Sequence, residues 1–225
     1  MKSLYLSLFG LLLLWSCNET KQKASESELK AQSVSEKIAN AHGYENWNNV
    51  KKVEFTFQVD RDTIKGNGRS WEWFPKKDSV IMRAGDQNVK YVRSRLDSVP
   101  NNADKAFIND KFWVFVPFQL IWDTTATVSE PKRAEAPISN TEMNMITLTY
   151  PEEGGYTPGD AYDIYYDNSY MIKEWSYRKG NAAKPTMSTT FENYKDYNGI
   201  KIATDHKMGQ NNWNLNFTDV SVTMN

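Results

Sequence analysis

Three features of this 225-residue sequence predict a mainly β fold with some helix, built on a single antiparallel, strongly curved sheet. Short runs of alternating apolar and polar residues recur from residue 50 onward. Turn sequences such as KGNG (65–68) and AGDQN (84–88) separate them, and only one early segment carries clean helical spacing. The count comes to about ten or eleven strands, more than an open sheet holds without curling, so the sheet curls strongly or nearly closes. Aromatic residues make up 13% of the chain, with eight Trp and twelve Tyr. Such side chains bring large apolar area with a polar handle, which suits a sheet lining a hollow.

In chain order, Lys2, an apolar run from Leu4 to Trp15 and the small residue Ser16 read as a signal peptide over residues 1–16. The run is too short for a permanent span, which needs about 20 apolar residues. Cys17 is the sole cysteine, so no intramolecular disulfide is open to it. Leu14-Trp15-Ser16-Cys17 resembles the lipobox of bacterial lipoproteins, which implies acylation (palmitate) of Cys17 and anchoring to a membrane. The alternative is an ordinary cleaved signal beside an idle thiol. Residues 17–27 are then a polar tether, and 28–225 form one folded domain.

A helix is expected over 28–41. Ser25 and Glu28 offer a capping box, Ala31, Val34, Ile38 and Ala41 recur at helical spacing, and Gly43 sits at the C-cap with His42 as a structural end group. Val53, Phe55, Phe57 and Val59 then alternate with polar residues as a half-buried strand. Strands at Arg69–Phe74, Ser79–Arg83 and Val89–Arg95 follow, with Trp71 and Trp73 on one face. After Pro100 the pattern breaks until Met143. Within the break, KAFINDKFWVFVPFQLIWD (105–123) is apolar on several sides and contains Pro117. Asn109 or Asp110 is placed to cap a short helix that Pro117 ends or kinks. The segment is either a plug of the core or a lid over a hollow. Residues 123–142 read as a mobile loop with a short edge strand near Thr127. Further strands are expected at Met143–Tyr150, Tyr162–Asp167, Met171–Tyr177, Ser188–Tyr194, Ile200–Asp205 and Trp213–Met224. In the last, the apolar parity moves between Phe217 and Val220, which implies a bulge.

Charge and motifs narrow the function. Removing Lys2 from the 27 Lys and Arg leaves 26 against 28 Asp and Glu, a balance without the basic footprint of a nucleic-acid binder. The two histidines, His42 and His206, lie in no zinc spacing, and no metal or other cofactor is expected. In GDAYDIYYD, Asp163 and Asp167 share a strand face opposite Asp160, so the three do not converge. No catalytic motif is present, and the chain is read as not an enzyme. Asp62-Thr63-Ile64, Asp78-Ser79-Val80, Asp97-Ser98-Val99 and Asp123-Thr124-Thr125 resemble the O-glycosylation acceptor of Bacteroidota, and equally suit Asx-turns.

The AHG…W opening (Ala41, His42, Gly43, Trp47), the central NDKFW…PF (Asn109 to Phe118), GGYTPGDAYDIYYD (154–167) and YNGIKIATDH (197–206) together resemble LolA/LolB-like lipoproteins of Bacteroidota. The resemblance covers most of residues 28–224. It implies an incomplete β-barrel whose concave side is plugged by helices, with a hollow that takes lipoprotein acyl chains. A LolB-type membrane loop finds no counterpart in any segment.

The expected function is therefore a cell-envelope, outer-membrane lipoprotein that binds a lipid or an acyl chain in the hollow of the sheet. The expected lining is Phe55, Phe57, Trp71 and Trp73 on one wall and Phe112, Trp113, Phe118 and Trp122 opposite. The alternatives are an envelope interaction or structural lipoprotein with a filled core and, behind it, an enzyme on the same scaffold.

Overall fold

The computed structural model describes residues 32–96, 98–209 and 212–225. The expected signal, Cys17, the tether and the Ser25–Glu28 capping box lie outside them. The first helix, α1 (Val34–Ala41), uses the next Ser-x-x-Glu instead. The Ser33 hydroxyl accepts the Glu36 amide (3.2 Å), while Glu36 takes the Ser33 amide (2.7 Å), which satisfies two groups that a helix start otherwise leaves open. Ile38 and Ala39 are fully buried.

After a 3₁₀ turn at Tyr44–Asn49 come β1 (Val50–Arg61), β2 (Arg69–Phe74), β3 (Ser79–Ala84) and β4 (Gln87–Val92). The long helix α2 (Ser98–Trp122) follows, then β5 (Thr127–Val128), β6 (Lys132–Glu135), β7 (Glu142–Thr149), β8 (Ala161–Tyr166), β9 (Ile172–Arg178), β10 (Met187–Thr190), β11 (Lys195–Tyr197), β12 (Ile200–Ile202), β13 (Asp205–Lys207) and β14 (Trp213–Met224). The expectation of one curved sheet is corrected. The strands form a six-stranded sheet in the order β13-β14-β1-β2-β3-β4, a second in the order β10-β9-β8-β7-β5 with β6 also on β7, and the β11-β12 hairpin. The β10 end of the second sheet and the β13 edge of the first are joined by an isolated bridge between Glu192 and Asp205. Alternation tells which face of a strand is buried, not which strand lies beside it, so the division was hidden.

The bulge is present. Thr56 pairs with Thr218 and Glu54 with Ser221, so β14 spends an extra residue there, and Asp219 takes a φ of 51°. The broken middle is a second correction: α2 is a 25-residue helix, not a short one capped at Asn109 or Asp110. Pro100 falls in its first turn, where a missing N–H costs nothing. Pro117 does bend it, since its ring displaces the carbonyl of Trp113, and Phe115 departs from helical backbone with φ −119° and ψ 29°. The edge strand expected near Thr127 is β5, and residues 123–142 hold a second strand, β6, that was read as loop; both pair with β7. α2 lies in the core, with rings from both large sheets against it.

Two quoted motifs meet at the C-terminus of α1. Gly43, at φ 90°, leaves no room for a Cβ, which would stand 1.7 Å from the Gly199 carbonyl oxygen. Gly199 and Asn198, both at positive φ, form the turn of the β11-β12 hairpin. The Lys201 amide donates to the His42 carbonyl (3.0 Å) and Asn46 Nδ2 to the Gly199 carbonyl (3.2 Å). The hairpin thus closes over the end of α1, and both glycines are needed for the approach.

His42 is the end group expected of it: its Nδ1 donates to the Ile38 carbonyl (2.8 Å), and the ring is fully buried beside Tyr194. His206 is equally buried, with Nδ1 donating to the Thr190 carbonyl (3.1 Å) and with Trp113, Phe191 and Phe217 around it. Desolvation pulls both imidazoles down to about 4 from 6.5. The unfolded chain then binds more protons than the folded one between those values. Stability should be full above about pH 6.5 and fall as the pH drops toward 4, by about 3 kcal/mol for each ring. Denaturant unfolding at a series of pH values checks this, and a stability unchanged from pH 7 to 4.5 would contradict it.

Candidate functional site

The position of α2 is set by charge. Asp110 is fully buried in the helix. Arg69 of β2 grips it with Nε and Nη2 (2.9 and 2.7 Å), and the Trp71 indole N–H donates to the same carboxylate (2.9 Å). Asn109 Nδ2 adds a fourth hydrogen bond (3.0 Å). Six residues earlier, Asp104 takes Arg93, which follows β4, through Nε and Nη2 (2.7 and 3.3 Å). The Arg93 guanidinium also covers the Phe107 ring at 5.5 Å. Two Asp–Arg forks therefore tie α2 to the first sheet.

The rings sort into separate groups around this helix. Beyond the kink, Phe115, Phe118 and Trp122 pack with Trp73 and with Trp47, whose centroid lies 4.9 Å from Trp122 and 5.2 Å from Trp73. Before the kink, Phe112 and Trp113 turn to the second sheet. Phe112 stacks on Tyr156 at 4.0 Å, and Trp113 meets Trp175 at 4.5 Å. Phe55 and Phe57 stand apart against Phe217, and Trp71 against Phe107. Of the eight expected lining residues, Trp73, Phe118 and Trp122 come together, as do Phe112 and Trp113. The whole set does not share one hollow, because α2 stands between its parts.

An aromatic hollow of about 190 Å³ does lie on the second-sheet side. Trp113 of α2, Tyr162, Trp175 and Tyr177 of the sheet, Met187 of β10 and Tyr156 from the β7–β8 connection line it. The phenols are committed: Tyr156 donates to Asn109 Oδ1 (2.9 Å), Tyr177 to Asp160 (2.8 Å), and Tyr162 shares a hydrogen bond with Thr157 (3.0 Å). Burial pushes all three phenol pKa values up, that of Tyr177 to about 12, so they present neutral ring faces. The Trp175 indole N–H is buried without a partner among the described residues. At about 190 Å³ it has room for a ring or the end of an alkyl chain, beside the polar side chains of Asn109 and Thr157 at its border. Roomier hollows, of about 660 Å³ at the start of α1 and about 490 Å³ beside the β1–β2 turn, are lined largely by polar and charged groups or by a single strand pair.

Sequence reasoning reached Trp113 but missed Tyr156, Tyr162, Trp175 and Tyr177. For Tyr162, Trp175 and Tyr177 the signal was the aromatic spacing in DAYDIYY and EWSY, which marks a strand face without naming what it meets, and Tyr156, in GGYTPGD, carried no periodic signal. The Asp160, Asp163 and Asp167 carboxylates each have local partners, in Tyr177, Arg178 and the turn amides of Ser169 and Met171. Asp123 forms the expected Asx-turn, accepting the Thr125 amide (3.2 Å). Among the described residues no cluster of three or more His, Cys, Asp or Glu is placed to hold a metal, and no helix is long and apolar enough to cross a membrane.

Asp110→Asn would weaken the Arg69 fork and remove the charge that holds the Trp71 N–H. Because Arg69 can turn to solvent, the expected loss is about 2–3 kcal/mol. Chemical unfolding measures it, and a change below half a kilocalorie would show that the fork does not hold the helix.

No family model matches the sequence, and no curated protein matches it. Among solved structures it is similar to a LolA superfamily protein from Nitrosomonas europaea, with 10% identity, a TM-score of 0.49 and coverage of 86% of this chain and 93% of that one. It is also similar to a DUF1329 family protein from Desulfovibrio piger, with 8% identity, a TM-score of 0.46 and coverage of 84% and 91%. The Mycobacterium tuberculosis lipoprotein LppX gives 8% identity, a TM-score of 0.26 and coverage of 84% and 97%.

Proposed function

We propose that this chain is a non-catalytic lipoprotein of the cell envelope, anchored at the outer membrane through Cys17, that binds a lipid or the acyl chain of a lipoprotein between α2 and the second sheet. The aromatic hollow carries this reading. Its walls are ring faces from α2, β8 and β9 with Met187 of β10, and its roof is Tyr156, borne on a connection that belongs to neither large sheet. An acyl end buried there loses about 0.8 kcal/mol of unfavourable hydration per methylene. Of the residues first expected to touch ligand, Trp113 lines this hollow and Phe112 supports its roof. The other six hold α2 and the first sheet around it.

The reading as an interaction lipoprotein with a filled core has its own support. Trp47, Trp73, Phe115, Phe118 and Trp122 pack ring on ring where an open hollow was expected. The two readings part on titration. With lipid-free protein and fatty acids or lysophospholipids below micelle formation, ligand binding should raise the melting temperature by mass action and shift Trp emission. Met187→Trp, which fills the hollow from its half-buried rim, should abolish both effects. If no amphiphile moves either signal, the filled-core reading replaces the carrier.

A further inference from the structure

The sequence holds two Asn-Gly pairs, Asn67-Gly68 and Asn198-Gly199. In such a pair the glycine amide nitrogen, with no Cβ beside it, has an open path to the asparagine side-chain carbonyl. The fold treats the two pairs differently. Asn198 Nδ2 donates to the Val222 carbonyl (2.7 Å), and the Gly199 amide donates to Asp196 Oδ1 (2.6 Å). Both reacting groups are therefore held, in a turn whose residues sit at φ 56° and 85°. Asn67 is exposed, and it lies with Gly68 in the stretch before β2 that belongs to no strand. Among the described residues, no hydrogen bond holds the Asn67 side chain or the Gly68 amide. Packing itself asks for glycine at 68, since a Cβ there would stand 2.7 Å from Thr56 Cγ2.

We infer that Asn67-Gly68 is a self-modification site, and that the carboxylate formed there loosens the hold of Arg69 on Asp110. The Gly68 amide nitrogen bonds to Asn67 Cγ, and the side-chain nitrogen leaves as ammonia with the amide proton. Water then opens the succinimide at either carbonyl, giving aspartate or isoaspartate, each with one new negative charge. Asn67 and Arg69 border the same two hollows beside the β1–β2 turn, so the charge arises next to the guanidinium. Arg69 is the open half of its pair: its side chain is 36% exposed and that of Asp110 0%. The fork uses Nε and Nη2, which leaves Nη1 outside it. A carboxylate at 67 offers the guanidinium a partner in solvent, at a smaller desolvation cost than the buried Asp110 exacts. This inference does not rest on the proposed apolar-ligand function.

The test is storage of the full chain in mildly alkaline buffer, followed by peptide mapping with mass spectrometry. The peptide holding Asn67 should gain the mass of an amide-to-acid exchange, and the one holding Asn198 should do so at least tenfold more slowly. Asn67→Gln keeps the amide but needs a larger ring, so it should abolish the reaction at this position. Aged wild type, parted from fresh protein by ion exchange, and Asn67→Asp should both unfold at a lower denaturant concentration than fresh wild type, whereas Asn67→Gln should not. In an Asp110→Asn background, Asn67→Asp should cost less than in wild type, because the fork it competes with is already weakened. An unmodified Asn67 after storage, or equal modification of the two pairs, overturns the site. An unchanged unfolding midpoint in Asn67→Asp, or an equal cost in both backgrounds, overturns the competition for Arg69.

Discussion

A buried carboxylate fixes the geometry of this domain. Asp110 sits at zero exposure inside α2, and a charge in such a place is tolerated only when its lone pairs are filled. Arg69, Trp71 and Asn109 fill them. Rotating α2 or sliding it by one turn would leave the charge unpaired, so the helix has one register against β2. That register decides the rest. Trp73 and the rings beyond the kink face each other, and Phe112 and Trp113 turn to the second sheet.

The two sides of α2 are held unequally. Toward the first sheet it has two Asp–Arg forks and an indole hydrogen bond. Toward the second, among the described residues, it has ring contacts and one side-chain hydrogen bond, from Tyr156 to Asn109. Ring contacts are non-directional and survive small shifts, whereas the forks do not. The second-sheet side, where the hollow lies, is therefore the side of α2 that gives way more easily.

Much of the local structure was legible in the sequence. The alternation gave β1 its buried face at Val53, Phe55 and Phe57, though not at Val59, which is half-buried beside a buried Asp60; the parity change after Phe217 gave the bulge at Asp219, and Pro117 gave the kink at Phe115. The length of α2 was not legible. From residue 112 to 120 α2 is buried on all sides and has no apolar stripe to betray its period, and Pro100 reads as a break although the first turn admits it. The quoted motifs prove to be contact pairs. AHG meets YNG through Gly43 and Gly199, and NDKFW meets GGYTPGD through Asn109, Phe112 and Tyr156. Their residue types were visible, but the pairing spans up to 156 residues, from Gly43 to Gly199, and no periodicity encodes it. The candidate hollow was half legible for the same reason, through Trp113 alone.

α2 and the first sheet behave as one unit, and the second-sheet side is the one that yields. Native-state amide hydrogen exchange on the ligand-free protein tests it most directly, since it reads opening free energies segment by segment. The central amides of α2 should open together with those of β1–β3, at the highest free energy in the domain, and residues 151–160 should open at a lower one. If α2 instead opens separately from β1–β3 while residues 151–160 are as protected as the core, the Asp110 clamp does not organise the fold.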